Sequence, residues 1–192
     1  RKMGVDIFAP HAEPGTKNSR YFKPWYIRAF KLPHGETNSY GALIEHDSGT
    51  KFLYLTDLEY CPFNFKTQKV NHILIEVNYQ PEYVDLDAPN KEHKLRGHCS
   101  LPTAVEFVKQ NKTEALQSVT LIHAGIRTVS RNECIWAIRN VVDRCDVFFA
   151  KNGDEFYLKG VTEHGNDGWG DSTDVQKCCQ PERTDQDTCG NE

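Results

Sequence analysis

No stretch of the 192-residue sequence is apolar over the about 18 to 20 consecutive residues that a transmembrane helix needs. The first twenty residues are rich in charged side chains and contain no apolar segment typical of a secretory signal peptide. Basic residues are not in excess either, because the formal net charge is −4 at pH 7. These absences predict a protein with no transmembrane helix, no membrane partner and no bulk electrostatic attraction to nucleic acids.

The sequence contains seven cysteines, an odd number. The last three do not have the spacing of a zinc ribbon. The other four lie in segments of globular composition. We interpret these four as buried or free thiols of a reducing compartment, which predicts a cytoplasmic location. They are Cys61, Cys99, Cys134 and Cys145.

Composition divides the chain into two parts. Residues 1–159 alternate short β-rich runs with turn-forming clusters and helical patterns, as expected of one domain. Residues 160–192 are rich in Gly, Asp, Gln and Thr and have almost no aliphatic side chains. Such a segment cannot bury enough apolar surface to offset its ordering entropy, so we predict a disordered tail.

Short runs rich in Val, Ile, Phe and Tyr predict strands. Apolar residues at helical spacing predict a helix over residues 100–110, and an S-x-x-E capping box predicts a second helix beginning at Ser130. Hairpins followed by alternating strands and helices predict a layered α/β or α+β domain. The predicted strands are 5–8, 26–31, 41–45, 52–56, 73–77, 119–122 and 147–150, with 155–158 as a further candidate.

Four polar residues occur where predicted strands end or a predicted helix begins. His34, Asp57 and His123 each follow an apolar strand, and His98 precedes the helix that starts near Ser100. Because strand ends converge at one edge of a sheet, these residues are candidates for a single site. Imidazole and carboxylate groups suit zinc or a similar divalent ion, and an open coordination position acidifies bound water.

Each of these residues also has an ordinary structural interpretation. A histidine at a strand end is commonly just a hydrogen-bonded residue, and Asp57 can cap a turn. Ser100 can serve as a helix N-cap, with His98 as a loop residue beside it. Asn78 and Tyr79, at the end of their strand, either line the cleft or form a turn after a buried strand.

The order of these motifs resembles that of metallo-β-lactamase-fold hydrolases. FKLPH at residues 30–34, followed by a strand pattern at 38–44, is similar to the motif in which a ligand histidine precedes a loop and a strand. LYLTD at residues 53–57 resembles the motif of the metal-bridging aspartate, and LIH at 121–123 resembles the final ligand motif. The resemblance covers roughly residues 3–142. It implies a four-layer αββα sandwich and metal ligation by His34, Asp57 and His123.

A fourth motif narrows the resemblance. RGHCS at residues 96–100 is similar to the His-Ser/Thr loop of the phosphodiesterase branch, of which RNase Z is the familiar member. In that branch the loop histidine assists as an acid or base near the leaving group and is not a ligand. The segment ILIEVNY at residues 73–79 resembles a segment of bacterial and phage family members. The resemblance therefore implies that Asp57 and His98 are catalytic.

One family motif is missing. H-x-H-x-D-H should precede residues 5–8, and His11 is isolated, with no histidine two residues away. The remaining set would place His34 on one ion and His123 on the other, with Asp57 bridging. One or two protein ligands per ion are fewer than the three usual for catalytic zinc. We therefore expect an N-terminally truncated sequence that has an exposed apolar sheet face and is inactive alone.

The resulting hypothesis is a di-zinc hydrolase, with Mn or Fe as alternative ions, that acts on a small-molecule or nucleic-acid phosphodiester. Two alternatives stay open. The chain is a catalytically inactive interaction module, which the missing motif favours, or its parent is a β-lactam or thioester hydrolase. Metal analysis separates a catalytic centre from an inactive module.

Overall fold

The computed structural model of the chain describes residues 8–9, 18–85, 87–89 and 91–160, apart from the side chain of His93. Most of the strand predicted at residues 5–8, and the predicted tail from residue 161 onward, lie outside these residues. The described chain forms a sheet of seven strands whose spatial order is the order of the sequence. The strands are β1 Ser19–Phe22, β2 Trp25–Leu32, β3 Ser39–His46, β4 Lys51–Leu55, β5 His72–Glu76, β6 Ser118–Ile122 and β7 Asp146–Phe149.

Three α-helices connect the later strands. Helices α1 and α2 lie between β5 and β6, and α3 lies between β6 and β7. Short 3-10 turns occur at Lys66–Gln68 and Pro81–Tyr83. The helices are α1 Lys91–Gly97, α2 Leu101–Asn111 and α3 Arg131–Arg139.

The sheet is mixed, and its topology places one set of strand ends together. Strands β1 to β4 pair antiparallel, whereas β4 to β7 pair parallel. Because β2 and β4 both run antiparallel to β3, they run in the same direction, so β2, β4, β5 and β6 all end at one edge. This arrangement confirms the predicted α/β class.

One face of the sheet carries the hydrophobic core. Residues facing α2 and α3 are fully buried, among them Leu53, Ile73 and Ile75 on the central strands. Ala104 and Val108 of α2 pack into the same cluster, on the helical face that the sequence spacing predicts. The core thus fixes the central strands whose ends bear the candidate site.

The opposite face of the same strands is apolar but less buried. Cross-strand neighbours Ile27, Ile44 and Phe52 line up on this face, and Tyr54 and Trp25 are more than a third exposed. Together with Leu74 and Leu158 they line a wholly apolar groove of about 360 Å³. The described part of the chain therefore presents the exposed apolar sheet face expected from the sequence.

Six of the predicted strands are confirmed to within a few residues, as are both predicted helices. Strand β1 and helix α1 were not predicted, and residues 155–158 form no strand. The four cysteines in the described globular part are free, and Cys99 and Cys134 are buried. Among the helices of the described residues, none is long and apolar enough to cross a membrane.

Candidate metal centre

The common strand edge collects four residues whose donor atoms converge. Asp57 follows β4, Glu76 ends β5, His123 follows β6, and His98 lies between α1 and α2. One donor atom from each of the four lies within 4.8 Å of the others. Asp57, His98 and His123 are residues that the sequence singled out, and the fold brings all three together.

Glu76 is the member that the sequence analysis missed. Its side chain is completely buried, and its two carboxylate oxygens face different partners. Oε1 lies 2.6 Å from His98 Nδ1, and Oε2 accepts a hydrogen bond from the Leu58 backbone N–H at 3.1 Å. A buried carboxylate requires such partners because its desolvation is costly. The sequence feature that could have identified Glu76 is that it is the one acidic residue in the apolar run of β5.

His123 faces both carboxylates. Its Nδ1 atom lies 3.4 Å from Asp57 Oδ1 and 3.6 Å from Glu76 Oε2. Thr56 Oγ1 is 3.2 Å from the same nitrogen. The His123 side chain is 40% exposed and that of Asp57 is 44% exposed. The centre therefore has a buried floor, formed by Glu76, and an open side that solvent or a substrate can reach.

His34 lies beside this group, outside the set of four. Its ring is 4.9 Å from the ring of His98, centroid to centroid, in an edge-on arrangement. His34 Nδ1 hydrogen-bonds the Gly97 carbonyl, and the Gly35 N–H donates to the Arg96 carbonyl at 3.1 Å. The loop after β2 is thus attached to the loop that carries His98.

The backbone at the strand ends is unusual at two of these residues. Asp57 has φ +51° and His123 has φ +52°, although neither is glycine. The left-handed region is disfavoured for side chains other than glycine, and such residues persist only where surrounding contacts hold them. Asp57 and His123 both belong to the cluster of donor atoms. The chain therefore turns sharply at the ends of β4 and β6 to direct these side chains to the edge.

Ser100 confirms the N-cap interpretation. Its hydroxyl accepts a hydrogen bond from the Thr103 N–H at 3.2 Å and begins α2. The capping box predicted at Ser130 is not formed, because the Ser130 side chain makes no capping bond. Glu133, its expected partner, instead accepts hydrogen bonds from Gln80 and Tyr83. Because His98, two residues earlier, takes no part in this cap, its side chain is available to contact Glu76.

The chemistry of the donor set fits a divalent metal ion. Two imidazoles and two carboxylates are ligand types that zinc and related ions accept. A cation would also offset the negative charge of the buried Glu76, which has a donor atom of a second carboxylate, Asp57, within 4.8 Å. His34, Asp57 and His123 are thus joined at this edge by two further residues with ligand chemistry.

Together the sheet, its helices and this edge define a protein of the metallo-β-lactamase fold. No protein-family model matches the chain, and no curated protein matches it. The fold is shown by solved structures of low sequence identity.

Three of these structures illustrate the similarity. The metallo-β-lactamase fold protein YhfI from Bacillus subtilis is 16% identical, with a TM-score of 0.53 over 78% of this chain and 54% of its own. The isothiocyanate hydrolase from Delia radicum gut bacteria is 12% identical, with a TM-score of 0.53 over 76% of this chain and 59% of its own. Yeast PDE1 is 14% identical, with a TM-score of 0.50 over 71% and 47%. The chain spans about half the length of the solved structures it matches.

Proposed function

We propose that the chain carries part of the active site of a metal-dependent hydrolase that cleaves phosphodiesters, either of a small molecule or of a nucleic acid. The observation that carries the proposal is the 2.6 Å contact between His98 Nδ1 and the buried Glu76 carboxylate, beside Asp57 and His123. An imidazole held by a buried carboxylate next to a set of metal-ligand side chains is an arrangement suited to hydrolysis.

In this proposal His34, Asp57 and His123 are the ligands that this chain contributes. Zinc is the preferred ion because imidazole and carboxylate donors suit it, and Mn or Fe are alternatives. A bound divalent ion supplies Lewis-acid polarisation and acidifies coordinated water. Asp57 would hold both ions of a two-metal centre, as the resemblance to the family implies.

His98 has the role of a general acid. An ionised carboxylate can only accept, so the 2.6 Å contact with Glu76 places a proton on His98 Nδ1. To act as the acid, the ring must also carry a proton on Nε2, taken up from solvent, and this proton passes to the leaving oxygen. The contact fixes both the tautomer and the orientation of the ring, as carboxylate partners of catalytic histidines do.

The choice of a phosphodiester rests on the loop RGHCS at residues 96–100. This loop resembles the loop of the phosphodiesterase branch. In the structure Ser100 caps α2, and His98 takes no part in that cap. The capping role of Ser100 and the acid role of His98 are therefore compatible.

The test is hydrolysis of bis(p-nitrophenyl) phosphate, in zinc or manganese, by a longer protein in which this chain is joined to an H-x-H-x-D-H segment, with bound metal counted in parallel. We expect His98→Ala to lower turnover about 100- to 10,000-fold while the metal content is retained. His46→Ala is the matched control, because His46 ends β3 with its Nδ1 2.8 Å from Ser48 Oγ, and we expect no change.

Three other results would contradict parts of the proposal. Loss of metal in His98→Ala would make His98 a ligand instead of an acid. Cleavage of nitrocefin or a thioester in place of the phosphodiester would assign the alternative substrate class. A chain that binds zinc at no site and hydrolyses none of these substrates would favour the inactive interaction module.

A further inference from the structure

Asn78, two residues beyond Glu76, is hydrogen-bonded to both histidine loops. Its backbone N–H donates to the Cys99 carbonyl at 2.9 Å, next to His98. Its side-chain Nδ2 donates to the His123 carbonyl at 3.3 Å. Asn78 is only 7% exposed, so these partners replace water. A single residue thus joins the two loops that bring imidazoles to the centre.

The backbone carbonyl of Asn78 holds the loop after β6 a second time. It accepts the Gly125 N–H at 3.0 Å and the Thr128 hydroxyl at 2.9 Å. Gly125 packs so closely that a Cβ atom there would lie 2.4 Å from the Asn78 carbonyl oxygen. Any larger residue at position 125 would push the loop away. This close approach keeps His123 directly above the end of β5.

These contacts explain how His123 keeps its left-handed conformation. A non-glycine residue at φ +52° lies in a disfavoured backbone region, so neighbouring contacts must hold it. The hydrogen bond from Asn78 Nδ2 ends directly on the His123 carbonyl, and the Gly125 contact fixes the chain two residues later. The ring of His123 points toward Asp57 and Glu76 only while this turn is maintained.

We propose that Asn78 is a positioning residue that holds His123 in its ligating orientation and couples the His123 loop to the His98 loop. The metal part of this inference rests on the proposed function, in which His123 is a metal ligand. A side chain of this kind contacts a ligand residue and not the ion, and its loss commonly weakens metal affinity about 10- to 100-fold.

The experiment compares Asn78→Ala and Asn78→Asp with the parent chain. Aspartate has nearly the shape of asparagine but no N–H donor, so it separates the hydrogen bond from the volume. We expect both variants to weaken zinc affinity about 10- to 100-fold, measured by competition with a chromophoric chelator. In the metal-free protein, we expect the backbone carbon shifts of His123 to move away from left-handed values.

Asn71→Ala is the matched control. Asn71 is 6% exposed, lies at the opposite end of β5, and likewise accepts and donates hydrogen bonds, with Lys51 and Ala115. Its loss should destabilise the fold to a similar extent but leave both the zinc affinity and the His123 shifts unchanged. A general loss of stability therefore cannot imitate the expected result.

Two outcomes distinguish failure of this inference from failure of the proposed function. If His123→Ala abolishes zinc binding but both Asn78 variants retain the parent affinity and His123 shifts, the positioning role of Asn78 is refuted. If His123→Ala leaves zinc binding unchanged, the ligand assignment of the proposed function fails. In that case, unchanged backbone carbon shifts of His123 in Asn78→Ala would still refute the proposal that Asn78 holds the His123 backbone, because these shifts are measured in the metal-free protein.

Discussion

Replacing Glu76 with glutamine is predicted to move the proton of His98 from one ring nitrogen to the other. In the parent protein two donors meet the buried carboxylate: His98 Nδ1 at 2.6 Å and the Leu58 N–H at 3.1 Å. Glutamine keeps the shape but offers one oxygen and one NH2 group. If the oxygen stays with Leu58, the NH2 group faces His98, whose Nδ1 must then accept a hydrogen bond.

The magnitude follows from the kind of bond that is lost. A hydrogen bond to a charged group contributes about 1.5 to 3 kcal/mol and a neutral one about 0.5 to 1.5 kcal/mol. Removing the charge also relieves the desolvation cost of a carboxylate that is 0% exposed. We therefore expect Glu76→Gln to lower the free energy of unfolding by no more than about 2 kcal/mol. Without the tautomer change, two donors would face each other, and the cost would rise by about 1 to 3 kcal/mol.

Long-range 1H–15N NMR of the imidazole nitrogens of the metal-free chain reads the tautomer directly, and urea unfolding reads the stability. Glu106→Gln is the control, because Glu106 is a carboxylate on α2 that is 56% exposed, is paired with Lys109 and is not a member of the donor cluster. It should change stability by no more than about 0.5 kcal/mol. A neutral His98 ring with its proton on Nδ1 in both parent and Glu76→Gln would refute the reasoning, as would a proton on Nε2 alone in the parent.

Two further predictions concern the N-cap of α2 and the beginning of β5. Ser100→Ala should cost about 1 kcal/mol in unfolding free energy because it removes a formed N-cap, whereas Ser130→Ala should cost clearly less; equal losses would contradict the distinction. Burial lowers the pKa of His72 below its ordinary value of 6.5, so the unfolded state takes up its proton first as the pH falls. The parent should therefore lose stability as the pH falls below 6.5, until the pH reaches the lowered pKa of His72 in the folded state. His72 contributes at most about 1.4 kcal/mol of this loss per pH unit. His72→Gln should lose less between pH 7.5 and pH 5.5, and identical urea-unfolding losses would show that His72 does not contribute.

The strand ends were predictable because their signals are local. Apolar runs followed by a single polar residue identify Asp57 and His123, and the parallel topology of β4 to β6 brings them together. The helix that contains Ala104 and Val108 was equally predictable, because the spacing of its apolar residues follows the period of a single helix. These features need no knowledge of distant contacts.

Features that depend on distant partners were not predictable. Ser130 and Glu133 have the sequence of a capping box, but Gln80, more than fifty residues earlier, engages Glu133 instead. Helix α1 is short and mostly charged, so its sequence lacks the apolar stripe from which a helix could be predicted. Glu76 has the appearance of an ordinary strand residue until the fold places His98 and Leu58 against its two oxygens.

The geometry of the centre depends most on β5, although no residue of β5 was a candidate ligand in the sequence. Both left-handed residues of the cluster are bonded to this strand or its continuation: Glu76 accepts from the residue after Asp57, and Asn78 donates to His123 itself. The backbone beyond β5 is also bonded on both sides, to the His98 loop through Cys99 and to the His123 loop through Gly125. Because β5 is central in the sheet and Ile73 and Ile75 are buried in the core, these side chains start from a rigid support. Variants at the end of β5 should therefore alter the imidazole geometry of the metal-free chain, whereas equally buried variants at its beginning should alter stability alone.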